Sequence, residues 1–125
     1  MSEKSAYDTT QDPPAPVLSV RVGLAGGRWS AALPFLVDTG ADMTVVPARL
    51  VRELGLPAVG EAALQGATGK RARVPIYRAE LGVGSVNLST QVVAFGREML
   101  LGRDVLNLWT VILRGKLGEL EIEIG

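Results

Sequence analysis

From Val17 onward, hydrophobic positions alternate with polar ones or run together in short stretches broken by glycine pairs, the pattern of strands joined by tight turns. Val17 to Leu24 reads as a strand, Ala25-Gly26-Gly27-Arg28 as a turn and Trp29 to Val37 as the returning strand. Pro34 has no N–H to give to a ladder, so that strand has an edge or a bulge there. Met43 to Val46 is a short apolar run. Pro47 stands where the first turn of a helix tolerates proline, and Arg49 to Leu54 continues it to Gly55. Ala62 to Gln65 and Lys70 to Tyr77 are extended arms around Gly66-Ala67-Thr68-Gly69, which predicts a mobile hairpin. Ile76 to Val83 and Val86 to Phe95 flank the Gly84-Ser85 turn, and Arg103 to Trp109 has room for one or two helical turns. Thr110 to Leu113 and Glu119 to Ile124 are closing strands around Gly115 to Gly118. The second of these alternates acidic and apolar residues, which suits either pairing with a partner's terminus or an edge guarded against aggregation.

Residues 1–16 break this pattern. Met1 to Pro16 is mostly polar and ends in Pro13-Pro14-Ala15-Pro16, so it is expected to be a flexible leader without helix or ladder, followed by a single domain over residues 17–125. A faint internal repeat runs through that domain. A hairpin turning at Ala25-Gly26-Gly27 leads to Phe35-Leu36-Val37-Asp38-Thr39-Gly40, and one turning at Gly84-Ser85 leads to Met99-Leu100-Leu101-Gly102-Arg103-Asp104. Such self-similarity suits a small barrel with pseudo-two-fold symmetry.

Composition narrows the chemistry. The 125 residues are 47% hydrophobic and 21% charged, which fits one soluble domain with a substantial core. There is no cysteine and no histidine, so disulfides, thiolate metal sites, a cysteine nucleophile and the usual general base are all excluded. No cofactor or metal is expected. Thirteen basic and thirteen acidic side chains cancel, leaving no electrostatic reason for a nucleic-acid partner. No apolar run reaches the roughly 18 to 20 residues that span a bilayer, nor does the N-terminus have the basic-then-apolar order of a secretory signal. The cytoplasm stands as the default location, since absence of cysteine fits either redox compartment.

Carboxylates and hydroxyls are left to carry any reaction. Phe35-Leu36-Val37 drives a strand into a core, and Asp38-Thr39-Gly40-Ala41-Asp42 then places two carboxylates and a hydroxyl on one loop. Alone, Asp38-Thr39-Gly40 reads first as an Asp turn whose carboxylate caps local N–H groups. The flanking apolar clusters and the later Leu100-Leu101-Gly102-Arg103-Asp104 change that weighing. With Phe35 to Asp42, Thr44-Val45-Val46 and Leu100 to Asp104 with Leu106, the sequence resembles the retropepsin-like aspartic proteases, single-lobe relatives of retroviral proteases, over roughly Val17 to Ile124.

The resemblance implies an all-β fold: a small closed antiparallel barrel of the retropepsin (acid protease) type with one or two short helices. It implies that Asp38 is the catalytic aspartate, that the Thr39 hydroxyl holds two active-site loops together across a dimer, and that Gly40 offers its backbone to substrate. Ala41 and Asp42 are implied beside the substrate, with Gly66, Ala67, Thr68 and Gly69 as the tip of a flap over it and Leu100 as a wall of the cleft. Asp42 and Arg103 are implied as an ion pair bracing the loop, worth several kcal/mol if buried. Two departures stand out: the basic arm Lys70, Arg71 and Arg73, and the helix after Pro47.

Elementary chemistry reaches the same place. Peptide hydrolysis without metal, cysteine or histidine needs one carboxylate as base and a second, protonated, as acid. The chain has one Asp-Thr-Gly and no Asp-Ser-Gly, which is half a site. A two-fold homodimer would supply the other half, and its two Asp38 carboxylates, unable to ionise together, would share a proton. The expected function is therefore a homodimeric aspartic endopeptidase acting on a peptide or protein substrate. The alternative is a catalytically silent peptide-binding or dimerisation module on the same fold.

Overall fold

The computed structural model describes residues 1–65 and 69–125. Ten strands dominate it. The seven that form the body are β2 (Val17–Gly23), β3 (Leu33–Val37), β4 (Val45–Val46), β5 (Ala58–Gln65), β6 (Arg71–Val83), β7 (Val86–Ala94) and β8 (Leu100–Leu101). Two short helices, α1 (Ala48–Leu54) and α2 (Arg103–Leu106), follow β4 and β8. The pairing order β2-β3-β8-β4-β7-β6 returns from β6 to β2, so six strands close a barrel and β5 lies outside it on β6. This is the all-β barrel with short helices that the sequence predicts, with one refinement: β3–β8 and β4–β7 run parallel.

The closure is pseudo-two-fold. Exchanging β2, β3, β4 and α1 with β6, β7, β8 and α2 maps each barrel pairing onto another of the same sense. The two hairpins of the sequence repeat are thus equivalent. The two apolar triplets are not: Phe35-Leu36-Val37 and Met99-Leu100-Leu101 lie side by side, Leu36 against Leu100 and Val37 against Leu101. Their likeness arises because both strands pass through the same core.

Alternation decides what enters that core. Leu18, Val20 and Val22 of β2 point inward with Phe35 and Val37 of β3, and meet Leu81, Val83, Val92, Val46 and Leu101. Helix α1 covers one side with Leu50 and Leu54 and stops at Gly55, whose φ of 69° is the left-handed conformation glycine adopts without cost. Pro34 sits where β3 has only β2 beside it, since β8 reaches no further than Leu36, and this is the edge its missing N–H requires.

Two expectations fail at the ends of the chain. Ser2–Ala6 is not a flexible leader but a strand, β1, paired antiparallel with β10 (Glu119–Glu123), which also pairs with β9 (Thr110–Arg114). Polar residues hold it there: Lys4 lies opposite Glu121, the Ser2 hydroxyl donates to Glu121 at 2.9 Å, and the Ser5 hydroxyl donates to the Val17 carbonyl at 2.7 Å. Residue 16 is accordingly no boundary of the fold. The acidic strand β10 is the centre of this three-stranded sheet, with Leu120 and Ile122 fully buried, and so offers no edge to a partner.

Candidate active site

Strand β3 ends at Val37, and the chain turns at once. The Asp38 N–H donates to the Leu101 carbonyl at 3.1 Å, and the Ala41 N–H returns to the Asp38 carbonyl at 3.2 Å. The Asp38 side chain closes the same turn by accepting the Gly40 N–H at Oδ1, 3.0 Å away. Because Phe35 and Val37 fill the core, Pro34, Leu36 and Asp38 share the opposite face, and Asp38 is half-buried at its end. Thr39 and Gly40 are exposed beside it.

Two straps tie this loop to α2. The outer strap is Arg103, whose guanidinium donates to the Thr39 carbonyl at 2.6 Å and pairs with Asp42. Arg103 and Asp42 meet, but at the surface: their side chains are 44% and 81% exposed. The buried-pair magnitude does not apply in the single chain, and about 1 kcal/mol or less is the proper scale. The Asp38–Asp42 loop is further held by the Arg103 N–H, which donates to the Ala41 carbonyl at 2.9 Å.

The inner strap is one the sequence reading passed over. Thr44 is completely buried, and Asp104 accepts both its N–H at 3.1 Å and its hydroxyl at 2.9 Å. The Thr44 hydroxyl in turn accepts the Gly102 N–H at 3.2 Å, while Asp104 also takes the Val105 N–H at 2.9 Å. Gly102 runs so close to residue 43 that an added Cβ would stand 2.5 Å from the Met43 carbonyl carbon. In the sequence, Asp104 simply follows an arginine. No local signal marks its partner, 60 residues earlier, because the contact is made by barrel closure.

The β5–β6 hairpin stands over the loop, its arms in register from Ala62 against Val74 to Gln65 against Arg71. Between them lies a cavity of about 510 Å³, lined by Gly40, Ala41 and Asp42 below and by Ala63, Leu64 and Arg71 above. The expected flap residues Gly66, Ala67 and Thr68 fall outside the described residues, and Gly69 begins the returning arm with φ 79°. Of the basic arm, Arg73 is paired with Glu61 across the hairpin at 2.9 Å. Leu100 does not line this cavity. It lies with Leu36 and Met99 in a second depression on the outer face of β3 and β8. Among the described residues, no group of three acidic side chains gathers as a metal site would require, and no helix is long and apolar enough to cross a membrane.

Comparison with known proteins agrees with this geometry. Residues 30–108 match the family model of the gag-polyprotein putative aspartyl protease. No curated protein matches. Among solved structures, a retropepsin-like aspartic protease from Rickettsia conorii superposes with a TM-score of 0.66 at 12% identity, over 99% of this chain and 91% of that one. The EIAV protease in complex with the inhibitor HBY-793 gives 0.60 at 20% identity, over 74% of this chain and 86% of that one. The foamy viral protease-reverse transcriptase gives 0.55 at 19% identity, over 76% of this chain and only 16% of the much longer one.

Proposed function

The chain belongs to the family of the gag-polyprotein putative aspartyl protease, and from that membership we propose that it is an aspartic endopeptidase whose active site is completed when two copies meet. The observation that carries this reading is the placement of a single Asp38 carboxylate at the outer end of β3, on a loop strapped to α2 at two points and roofed by a hairpin. One carboxylate cannot be base and acid at once. Two Asp38 side chains across a two-fold axis can, because like charges within hydrogen-bond reach retain one proton between them. The ionised member takes a proton from a water held between the pair as that water attacks the peptide carbonyl. The protonated member gives its proton to the carbonyl oxygen. As the C–N bond of the resulting diol breaks, the first member passes the water's proton to the departing nitrogen and the second takes one back from a diol hydroxyl, which releases amine and acid without a covalent enzyme intermediate. Thr39 and Gly40 flank the carboxylate, where a hydroxyl reaches the opposing loop and a backbone edge reaches an extended peptide. Ala41 and Asp42 line the cavity under the hairpin, where the peptide's neighbouring residues would lie.

The surface supports a second copy of this chain as the partner. Among the described residues, strand β9 pairs with β10 on one side only, leaving its other edge open. Leu108, Leu113 and Leu117, which precede, occupy and follow that strand, are 64%, 50% and 74% exposed. An open edge with apolar residues along it is a template for strand addition.

The test is mass-spectrometric mapping of cleavage in a diverse peptide mixture between about pH 3.5 and 7.5, from the ordinary aspartate value to neutrality. Cuts by the native protein that are absent with Asp38→Asn are the expected result. No cuts at any pH from folded, dimeric protein would replace the reading with a peptide-binding module on the same barrel.

A further inference from the structure

The second depression, on the face of β3 that carries Asp38, has a use of its own. Its apolar lining includes Pro34, Leu36, Met99 and Leu100, and its polar members are Asp8 and Gln11 from the segment that precedes the barrel. Leu36 precedes Asp38 by two residues, about 7 Å along an extended chain, so the depression begins beside the loop that carries the carboxylate. Two residues is likewise the side-chain repeat of an extended peptide, and a side chain within about two residues of the cut bond falls into it. The volume, about 270 Å³, is just under the range where small-molecule pockets begin and suits one long side chain.

Asp8 is fixed in place as a charge. Its backbone is bridged both ways to the buried Ala15, at 2.8 and 3.2 Å, and the Val37 N–H, next to Asp38, donates to the Pro16 carbonyl at 2.9 Å. The segment is thus clamped to β3 itself. The Asp8 carboxylate accepts the Thr10 hydroxyl at 2.6 Å, the Thr10 N–H at 3.0 Å and the Gln11 amide at 3.3 Å. These bonds, the Thr10 hydroxyl first, hold it below the usual carboxylate range and so favour its ionised form. None of the residues lining the depression is basic, which leaves this anion without a cation in the site.

We propose that Asp8 is a specificity-determining residue, and that the depression it borders takes a lysine or arginine of the substrate close to the cleaved bond. The aliphatic stem lies along Leu36, Met99 and Leu100, and the cationic head meets the carboxylate. The inference rests on the endopeptidase reading, and in the two-fold dimer the depression occurs once on each side of the bond.

Matched peptides carrying lysine, norleucine or glutamate at one position near the cut test it in two ways. In cleavage, the native protein should favour lysine over norleucine by about threefold to fivefold in kcat/KM, the scale of a solvent-facing ion pair. Asp8→Asn, which keeps an acceptor for Thr10, should bring the lysine-to-norleucine ratio measured within the variant to about one, and Asp8→Lys should shift the preference to glutamate. Binding of the same peptides to Asp38→Asn protein, with and without Asp8→Asn, reads the depression independently of turnover. Lysine-selective binding lost with Asp8, without cleavage by the native protein, would support the depression and sink the endopeptidase. Cleavage or binding with a preference that ignores Asp8 overturns the proposal, as does the absence of any basic preference.

Discussion

Asp104 and Thr44 carry more of the site's rigidity than the residues that look catalytic. Asp104→Ala would leave the N–H and hydroxyl of a completely buried threonine without acceptors, each worth about 1 to 3 kcal/mol. A loss on the order of 3 kcal/mol in denaturant unfolding is expected, with Thr44→Val costing a similar amount because it takes the hydroxyl donor from Asp104 and leaves the buried Gly102 N–H without an acceptor. Arg103→Ala tests the outer strap. Since the pair with Asp42 is solvent-exposed, the variant should stay folded within about 1 kcal/mol of the native protein while its activity falls with the disordering of the Thr39 carbonyl, and thermal unfolding beside cleavage rate separates the two. At this scale the sequence displayed Asp38, Thr39 and Gly40 because they stand together in one short stretch directly after an apolar strand. It hid Asp104 and Asp8, whose partners come from barrel closure and from a segment that composition alone marks as disordered.

At the scale of elements, hydrophobic alternation and turn residues located nearly every strand, and Pro47 and Gly55 bracketed α1. They misjudged β1, because a polar strand has no periodicity of its own to display and is ordered by its neighbour. The bond between Ser2 and Glu121, and after it the Arg114 pair at 2.9 Å, hold Glu121 below its ordinary value of 4.5. A carboxylate depressed on folding adds stability that is full above the unfolded value and lost as pH falls through the folded one. Amide protection across Ser2–Ala6 should therefore decline as pH drops below about 4.5, ahead of the barrel strands, and Glu121→Gln should remove the pH dependence in hydrogen exchange. Protection of β1 that is flat in acid would mean the strand is held by backbone pairing alone.

For the whole molecule, the pseudo-two-fold of the barrel places an Asp-Thr-Gly loop on only one of its halves, after β3, while the equivalent β7 leads to Phe95-Gly96-Arg97-Glu98, which lacks that motif. Internal symmetry therefore cannot complete the site, and an intermolecular two-fold can. Leu113→Lys places a charge on the open edge of β9 without touching the core. It should leave the chain folded, shift sedimentation toward the single chain, and lower specific activity in a way that raising the protein concentration restores. Which strand supplies the edge could not be read from the sequence: β9 and β10 are both amphipathic, and only the pairing order shows that β10 is enclosed.

Completion of the site by a second Asp38 is tested most directly by mixing. Native chain at fixed concentration is titrated with Asp38→Asn chain and allowed to exchange, and cleavage of one mapped peptide is followed. If each site needs two intact carboxylates, activity per native chain falls in proportion to the native fraction, to about one quarter at a threefold excess of variant. Activity that stays constant as the variant is added would show that each chain cuts by itself, and would contradict the account.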